Sequence, residues 1–486
     1  MEARKTQPDP LEGRRRAASV GWFSAAGPGE WLAGSLTLAM LAACSKDSGL
    51  GSSGPQAVPN LLMVAFDTTR ADHLSCYGYE RTTTPAVDAL AGRGLLLEQA
   101  YSASSLTSVS ASTFMTGVLP PRHGVRSLFL VGQESIAPQI PTLAELLQEA
   151  GFATGGFVSA PPIGARCGLG RGFDVFDELS DHRASEPGTV NPYQRRADVT
   201  CNLALEWLAE RNGSEAPFFL WVHFFDAHDP TLVPPHEFLA REVNFEWPSA
   251  ASGEATQPAA RPRLTPAQRI DLYDAEIRFQ DLQFERLIEA LRTSGQLENT
   301  LVCFLSDHGE GLGQHGFWTH GLLYDEQLRV PWVLAGPGVP SGTRLSSRVR
   351  LVDLVPTLAE LLPIDLGGQA LDGASVLPLL QGAEPHERDV YAEVRHQAED
   401  SLGRDPEMTS LTSGPWKLIR RPFGDDELYQ LGQDRGERRN VVSKHSAVLG
   451  SLRQGLAAIG RGLESGGGES AIDAETRAML KELGYL

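Results

Sequence analysis

Two unbroken apolar runs organise the chain. Residues 60–66, NLLMVAF, and 301–305, LVCFL, carry no charge and are too short for ordinary helices, so each predicts a strand buried on both faces. Each run stops on an acid. Asp67-Thr68-Thr69-Arg70 follows the first, and Ser306-Asp307-His308-Gly309 follows the second, where the glycine permits a sharp turn. Residues 152–159 predict another strand. Residues 218–225, FFLWVHFF, predict a further one, ending in Asp226-Ala227-His228-Asp229-Pro230.

Between these runs the apolar spacing becomes helical. Thr84-Pro85 opens a short helix to Gly92, and residues 141–151 form a second between proline and glycine. Thr265-Pro266 with Gln268 is a capping-box start for a long helix, whose Ile270, Tyr273, Ile277, Phe284, Leu287 and Leu291 share one face. This alternation predicts an α/β fold: a large mixed, mainly parallel sheet sandwiched by helices. Ligands bind such sheets beyond the carboxyl ends of the strands, where the acids lie. After about residue 380 the texture changes. Residues 389–393, 416–420 and 427–431 predict a small antiparallel C-terminal sheet, with a helix. The expected division is a catalytic domain over 60–380 and a smaller subdomain over 381–486. Residues 242–263, rich in Pro and Ala, predict a loop over one face.

Charge narrows the function. A net charge of −19 excludes nucleic acid as a partner, because polyanion binding needs basic surface. It also means that an anionic substrate needs a local cation, such as a metal. The five cysteines have no metal-site or small-scaffold spacing; Cys76–Cys167 and Cys167–Cys201 bridges are conceivable, and none is assumed. The N-terminal segment is not fold. Arg14-Arg15-Arg16, an apolar stretch over 31–43 and Leu41-Ala42-Ala43-Cys44 look like a bacterial lipoprotein signal over 1–44, with a Ser/Gly/Pro-rich tether over 45–59. Cys44 would then be lipidated, and Ser45 after it resembles lipoproteins sent to an outer membrane. The implied location is the bacterial cell envelope, periplasmic or outer-membrane.

Candidate chemistry gathers at the strand ends. Asp307 and His308 side by side are ordinary ligands for a borderline divalent cation, although a solvated polar loop would read the same way. Glu310, His315 and His320 follow on a glycine-rich thread. Residues 103–117, ASSLTSVSASTFMTG, are crowded with hydroxyls of the kind favoured at helix starts, where free N–H groups meet anions.

These segments, in this order, resemble the sulfatase family of the alkaline-phosphatase superfamily from Pro59 to the end. The resemblance rests on NLLMVAFDTTRADHLSCYGY, TFMTG with PRHGV, GFDVFDE, HFFDAHDP, FLSDHGEGLGQHG, VRLVDLVPTLAELL, WKLI, ELYQL and ELGYL. It implies an alkaline-phosphatase-like fold and one divalent metal held by Asp67, Asp307 and His308. Counting back from Thr116, the family's nucleophile position falls on Thr107, whose oxygen would be a fourth ligand. True sulfatases carry Cys or Ser in C/S-x-P-x-R, converted to formylglycine. This chain reads Thr107-Ser108-Val109-Ser110-Ala111, so formylglycine is not expected. Lysines expected in the family are here Val158 and His320.

Metal coordination would still allow threonine to act as the nucleophile. His228 and His320 would protonate the leaving oxygen, or hold a second metal with Asp226. His223 and His315 are expected to be structural or to support the ligands from behind. His308 favours Zn or Mn, with Ca open as an alternative. The expected activity is hydrolysis of a sulfate or phosphate ester, on a glycan or a lipid. The alternatives are a phosphodiesterase or a phosphoethanolamine- or glycerophosphate-type transferase, and a non-catalytic protein that binds anionic glycans. Oligomeric state is not legible.

Overall fold

The computed structural model describes residues 57–128, 134–178, 194–228, 233–235, 238–239, 264–382, 387–396, 405–422 and 424–461. The signal segment, most of the tether, the 242–263 excursion and the closing ELGYL lie outside the described residues.

The strands of the large sheet are β1 (Asn60–Phe66), β2 (Leu95–Tyr101), β3 (Ala153–Val158), β4 (Val175–Asp177), β5 (Phe218–Phe224), β6 (Thr300–Leu305), β7 (Arg329–Val330), β8 (Trp332–Ala335) and β9 (Thr343–Arg350). They run in the order β4-β3-β5-β1-β6-β8-β2-β7, with β9 also paired to β2. Strands β4, β3, β5, β1 and β6 are mutually parallel, so their carboxyl ends meet at one edge. Strand β8 is antiparallel to β6 and β2, while β9 runs parallel to β2. The sheet is thus mixed, as the alternation predicts. Strands β2 and β9 escaped the sequence reading because each mixes apolar with polar positions (LLLEQAY, TRLSSRVR).

Period-two alternation divides the core. Leu61, Met63, Ala65, Trp221, Leu301, Cys303 and Leu305 face one layer, where they meet Val109, Phe114 and Met115 of the helix Thr107–Thr116. Leu62, Val64, Phe66, Val222, Val302 and Phe304 face the other, against the helices Pro85–Gly92, Ala197–Ala209 and Pro266–Thr293. The long helix opens with the expected capping box, Thr265 with Gln268. The Pro85–Gly92 helix differs from expectation. Thr84 makes no cap, and Asp281 from the long helix accepts the Ala86 and Val87 amides instead, both at 3.0 Å.

A second, four-stranded antiparallel sheet follows: β10 (Val390–Arg395), β11 (Glu407–Ser413), β12 (Trp416–Arg420) and β13 (Glu427–Gln430). The helix Ser446–Arg461 packs Leu452 and Leu456 on Leu411, Leu418 and Leu428. Strand β11, EMTSLTS, was not anticipated, because its hydroxyls hide its alternation. The two sheets are joined where the Glu393 amide donates to Ala103 O (2.9 Å) and Arg126 grips the Glu393 carboxylate (2.6 and 2.8 Å).

Candidate active site

The edge formed by β5, β1 and β6 collects the site. Asp67 and Asp307 each lie two residues beyond Ala65 and Leu305, which pair with each other, and Ala65 also pairs with His223 on β5. All three polar residues therefore project from the layer that carries the Thr107–Thr116 helix. Asp67, His223 and Asp307 are fully buried, and one donor atom from each lies within 4.8 Å of the others. Among the described residues, both Asp67 oxygens, Asp307 Oδ2 and both His223 nitrogens have no hydrogen-bond partner. Buried polar atoms without partners are costly.

The electrostatics point the same way. Burial, then the charges of Asp307 and Glu310, push the Asp67 carboxyl well above its usual range. Burial pushes Glu310 up to about 8 and the His223 imidazole down to about 4. Burial, and then the charges of His320 and His308, hold His228 well below its ordinary value. A bound dication reverses the cost for both carboxylates and needs neutral imidazoles. The residues present fit a divalent cation.

Local backbone serves this cluster. Thr68 adopts a left-handed φ of 50°, a strained conformation for a β-branched residue. Its amide donates to Asp307 Oδ1 (3.1 Å), the Thr69 amide donates to Ser306 Oγ (2.9 Å), and Tyr273 donates its hydroxyl to Thr68 O (2.7 Å). Thr107 is the first residue of its helix, with its hydroxyl 3.1 Å from His308 Nε2. His308 Nδ1 donates to Gly309 O (2.9 Å), which leaves Nε2 with the lone pair. The helix's first internal bond runs from the Ser110 amide to Leu106 O (3.0 Å), so the amides before it can meet an anion.

Of the expected residues, Asp67, Thr107, Asp307 and His308 come together, with His320 beside them. The His320 ring lies 4.6 Å from that of His308 and 4.8 Å from that of His228, and its Nδ1 faces Glu310 Oε2 at 3.4 Å. Asp226 is engaged elsewhere. Both its oxygens accept the Ala197 amide (3.2 and 2.9 Å), at the start of the Ala197–Ala209 helix. His315 faces Glu326 (2.6 Å) and stacks on Tyr324, away from the cluster. His223, read from sequence as structural or supporting, stands in the cluster itself. The signal for it was an ionisable ring inside an otherwise apolar strand, in register with Ala65 two residues before Asp67.

Comparison with known proteins identifies the family of the chain. The sequence profile described as Sulfatase matches residues 59–364. The chain belongs to the sulfatase family. This is a family of sulfuric ester hydrolases, and its fold is alkaline-phosphatase-like. A second profile, N-sulphoglucosamine sulphohydrolase, C-terminal, matches residues 313–460. Similar relatives include a Delta 4,5-hexuronate-2-O-sulfatase of Bacteroides thetaiotaomicron, 25% identical over 82% of this chain and 88% of that one. A choline-sulfatase of Rhizobium meliloti is 26% identical over 79% of this chain and 82% of its own length. Among solved structures, a phosphonate monoester hydrolase of Agrobacterium radiobacter has a TM-score of 0.64 at 22% identity, covering 83% of this chain and 96% of its own. A protein in complex with its substrate D-glucosamine-2-N,6-O-disulfate has a TM-score of 0.69 at 19% identity, covering 84% and 98%. At these identities the structural likeness is one of fold.

The cluster generates a direct expectation for this sulfatase-family chain. Asp67→Asn should weaken Mn²⁺ binding, measured by isothermal titration calorimetry, by tenfold or more, as on the order of that loss follows even indirect disturbance of a metal site. An affinity equal to the parent's would contradict the assignment.

Proposed function

We propose that this protein is a metal-assisted hydrolase of sulfate or phosphate esters that uses Thr107 as its nucleophile. The observation that carries this is the placement of Thr107. Its hydroxyl meets His308 Nε2 beside the Asp67–Asp307 cluster, whereas its neighbours are committed elsewhere: Ser108 donates to Pro162 O, and Ser110 to Asp307 O at 2.7 Å. Asp67, Asp307 and His308 would hold the cation with the Thr107 oxygen, and His223 supplies a further nitrogen donor. The imidazole donors favour Zn or Mn over an all-oxygen calcium site. When bound, such a cation favours the ionised form of the Thr107 hydroxyl and offsets charge on the transferring group.

The chain's own residues then divide the work. Thr107 Oγ1 gives up its proton to water and attacks the sulfur or phosphorus, and the bond to the leaving oxygen breaks. The amides at the start of the Thr107–Thr116 helix face the anionic oxygens of the transferred group. His320, whose Nδ1 is held toward Glu310, gives a proton from Nε2 to the leaving oxygen, with the His228 ring packed against it. Water, giving a proton back to His320 Nε2, then cleaves the Thr107 ester and releases sulfate or phosphate from a monoester, or a phosphate monoester from a phosphodiester. An alcohol in place of that water would make the same protein a transferase. No formylglycine takes part: the loop holds threonine where the family's modified Cys or Ser stands, and none of the cysteines lies in it. Discharge of a sulfated threonine lacks the elimination route that formylglycine provides, so phosphodiesters should be better substrates than aryl sulfates. The relatives named for sulfated sugars support a sugar ester as the natural substrate class.

Thr107→Ala should cost on the order of a thousandfold or more in kcat with fold and metal intact, while Thr107→Ser keeps measurable turnover. Ser108→Ala should stay near the parent rate. Parent-like turnover by Thr107→Ala, or a dead Ser108→Ala beside it, would show that the nucleophile lies elsewhere.

We also propose that Cys44 is lipidated and tethers the protein to the bacterial envelope, a reading supported by the apolar stretch ending in Leu41-Ala42-Ala43-Cys44. Cys44→Ala should move the protein from the membrane fraction to the soluble one. Mass spectrometry showing a mature N-terminus without lipid would refute it.

A further inference from the structure

The C-terminal sheet buries a lysine against the loop that carries the catalytic histidines. Lys417 on β12 is fully buried, with Nζ 2.8 Å from Asp325 Oδ1 and 2.8 Å from Glu437 Oε1. The Asp325 amide donates to Glu437 Oε2 (2.5 Å), and Tyr101, at the end of β2, reaches Asp325 Oδ2 at 3.3 Å. Asp325 is therefore held from three sides. Burial works against the Lys417 charge, but the two carboxylates outweigh it and hold the ammonium charged.

Asp325 opens a single helical turn, Asp325–Leu328, and that turn organises the site. Gln327 O accepts the Gly309 amide at 2.9 Å, directly after His308. The approach is close: a Cβ at Gly309 would stand 2.2 Å from Glu326 O, so only glycine fits. Gln327 Oε1 accepts the Leu322 amide (2.7 Å), Leu322 O accepts the Ser105 hydroxyl (2.7 Å), and Leu328 O accepts the Ser102 amide (2.8 Å). Ser102 and Ser105 lead into Thr107. One turn thus ties the backbone of His308, the segment after His320 and the approach to Thr107. The same loop is gripped again by the C-terminal part, through Tyr324 to Glu427 (2.8 Å) and His315 to Glu437 O (3.1 Å).

A buried ion triad is a poor stabiliser, because desolvation offsets most of its attraction, whereas it does impose a specific geometry. We propose that Lys417 is a positioning residue for the reaction: by anchoring Asp325 it fixes the turn that sets His308 and Thr107 at their working distance. The kinetic part of this inference rests on the Thr107 reading; its metal-binding part does not.

The test compares the parent with Lys417→Met and with the neutral triple variant Lys417→Met/Asp325→Asn/Glu437→Gln. Urea stability, Mn²⁺ affinity by calorimetry, and kcat and KM on a phosphodiester are measured for each. The triple variant, freed of unpaired buried charge, should regain near-parental stability. Its kcat should still lie about tenfold to a hundredfold low with KM little changed, and its Mn²⁺ affinity about tenfold low, as for lost support around a site. Parental kcat and Mn²⁺ affinity in a stable triple variant would overturn the proposal, because the triad would then only hold the fold together. If the triple variant does not fold, Asp325→Asn, which keeps the shape, is read by the same criteria. If the parent itself turns over no ester, the Thr107 reading has failed, and the Mn²⁺ comparison alone decides for or against Lys417.

Discussion

Two buried carboxylates, three of whose four oxygens find no hydrogen-bond partner among the described residues, constrain everything else at this site. Asp67 and Asp307 sit at the ends of adjacent parallel strands, on the same face, with His223 beside them and no solvent to stabilise their charge. Such an arrangement costs several kcal/mol per ion unless a cation completes it. The strained Thr68, the Tyr273 hydroxyl and the Ser306 hydroxyl all hold backbone in place around this pair. The Thr107 helix packs on the same layer and points its first residue into the same space. Period-two alternation and strand register bring Asp67, His223 and Asp307 to one point, and the packing of the Thr107–Thr116 helix adds a hydroxyl beside them.

How much of this the sequence reveals depends on the kind of signal each residue leaves. Asp67, Asp307 and His308 are legible because an apolar run that halts on an acid marks a strand end, and strand ends face the ligand edge. His223 leaves a fainter mark, since recognising it needs the pairing of β5 with β1, which no local pattern states. Asp226 shows the opposite failure. It has the look of a ligand beside His228, yet its carboxylate caps a helix that begins 29 residues earlier in the chain. Helix Pro85–Gly92 repeats the lesson, with Asp281 taking the capping role that local sequence assigns to Thr84. The expected core strands are legible because they are almost wholly apolar, while β2, β9 and β11 mix apolar with polar positions and blend with loops.

Membership of the sulfatase family and departure from its usual nucleophile meet at Thr107. In the proposed assignment Asp67, Asp307 and His308 serve as cation ligands, residues 107–111 read TSVSA in place of C/S-x-P-x-R, and His320 takes the position of an expected lysine. A hydroxyl nucleophile with a histidine nearby to protonate the leaving oxygen suits transfer of a group whose enzyme ester water can discharge. The C-terminal sheet reaches this region through its grip on the Asp325–Leu328 turn, a contact between residues 92 positions apart.

The central claim is that Thr107 carries the transferred group. Rapid acid quench of the protein turning over a phosphodiester, followed by peptide mapping, measures this most directly. The expected result is the substrate's phosphoryl group, still carrying its remaining ester, on the Thr107 side chain and absent in Thr107→Ala. Turnover that continues while the Thr107 peptide stays unmodified, or modification on Ser108 or Ser110 instead, would contradict it.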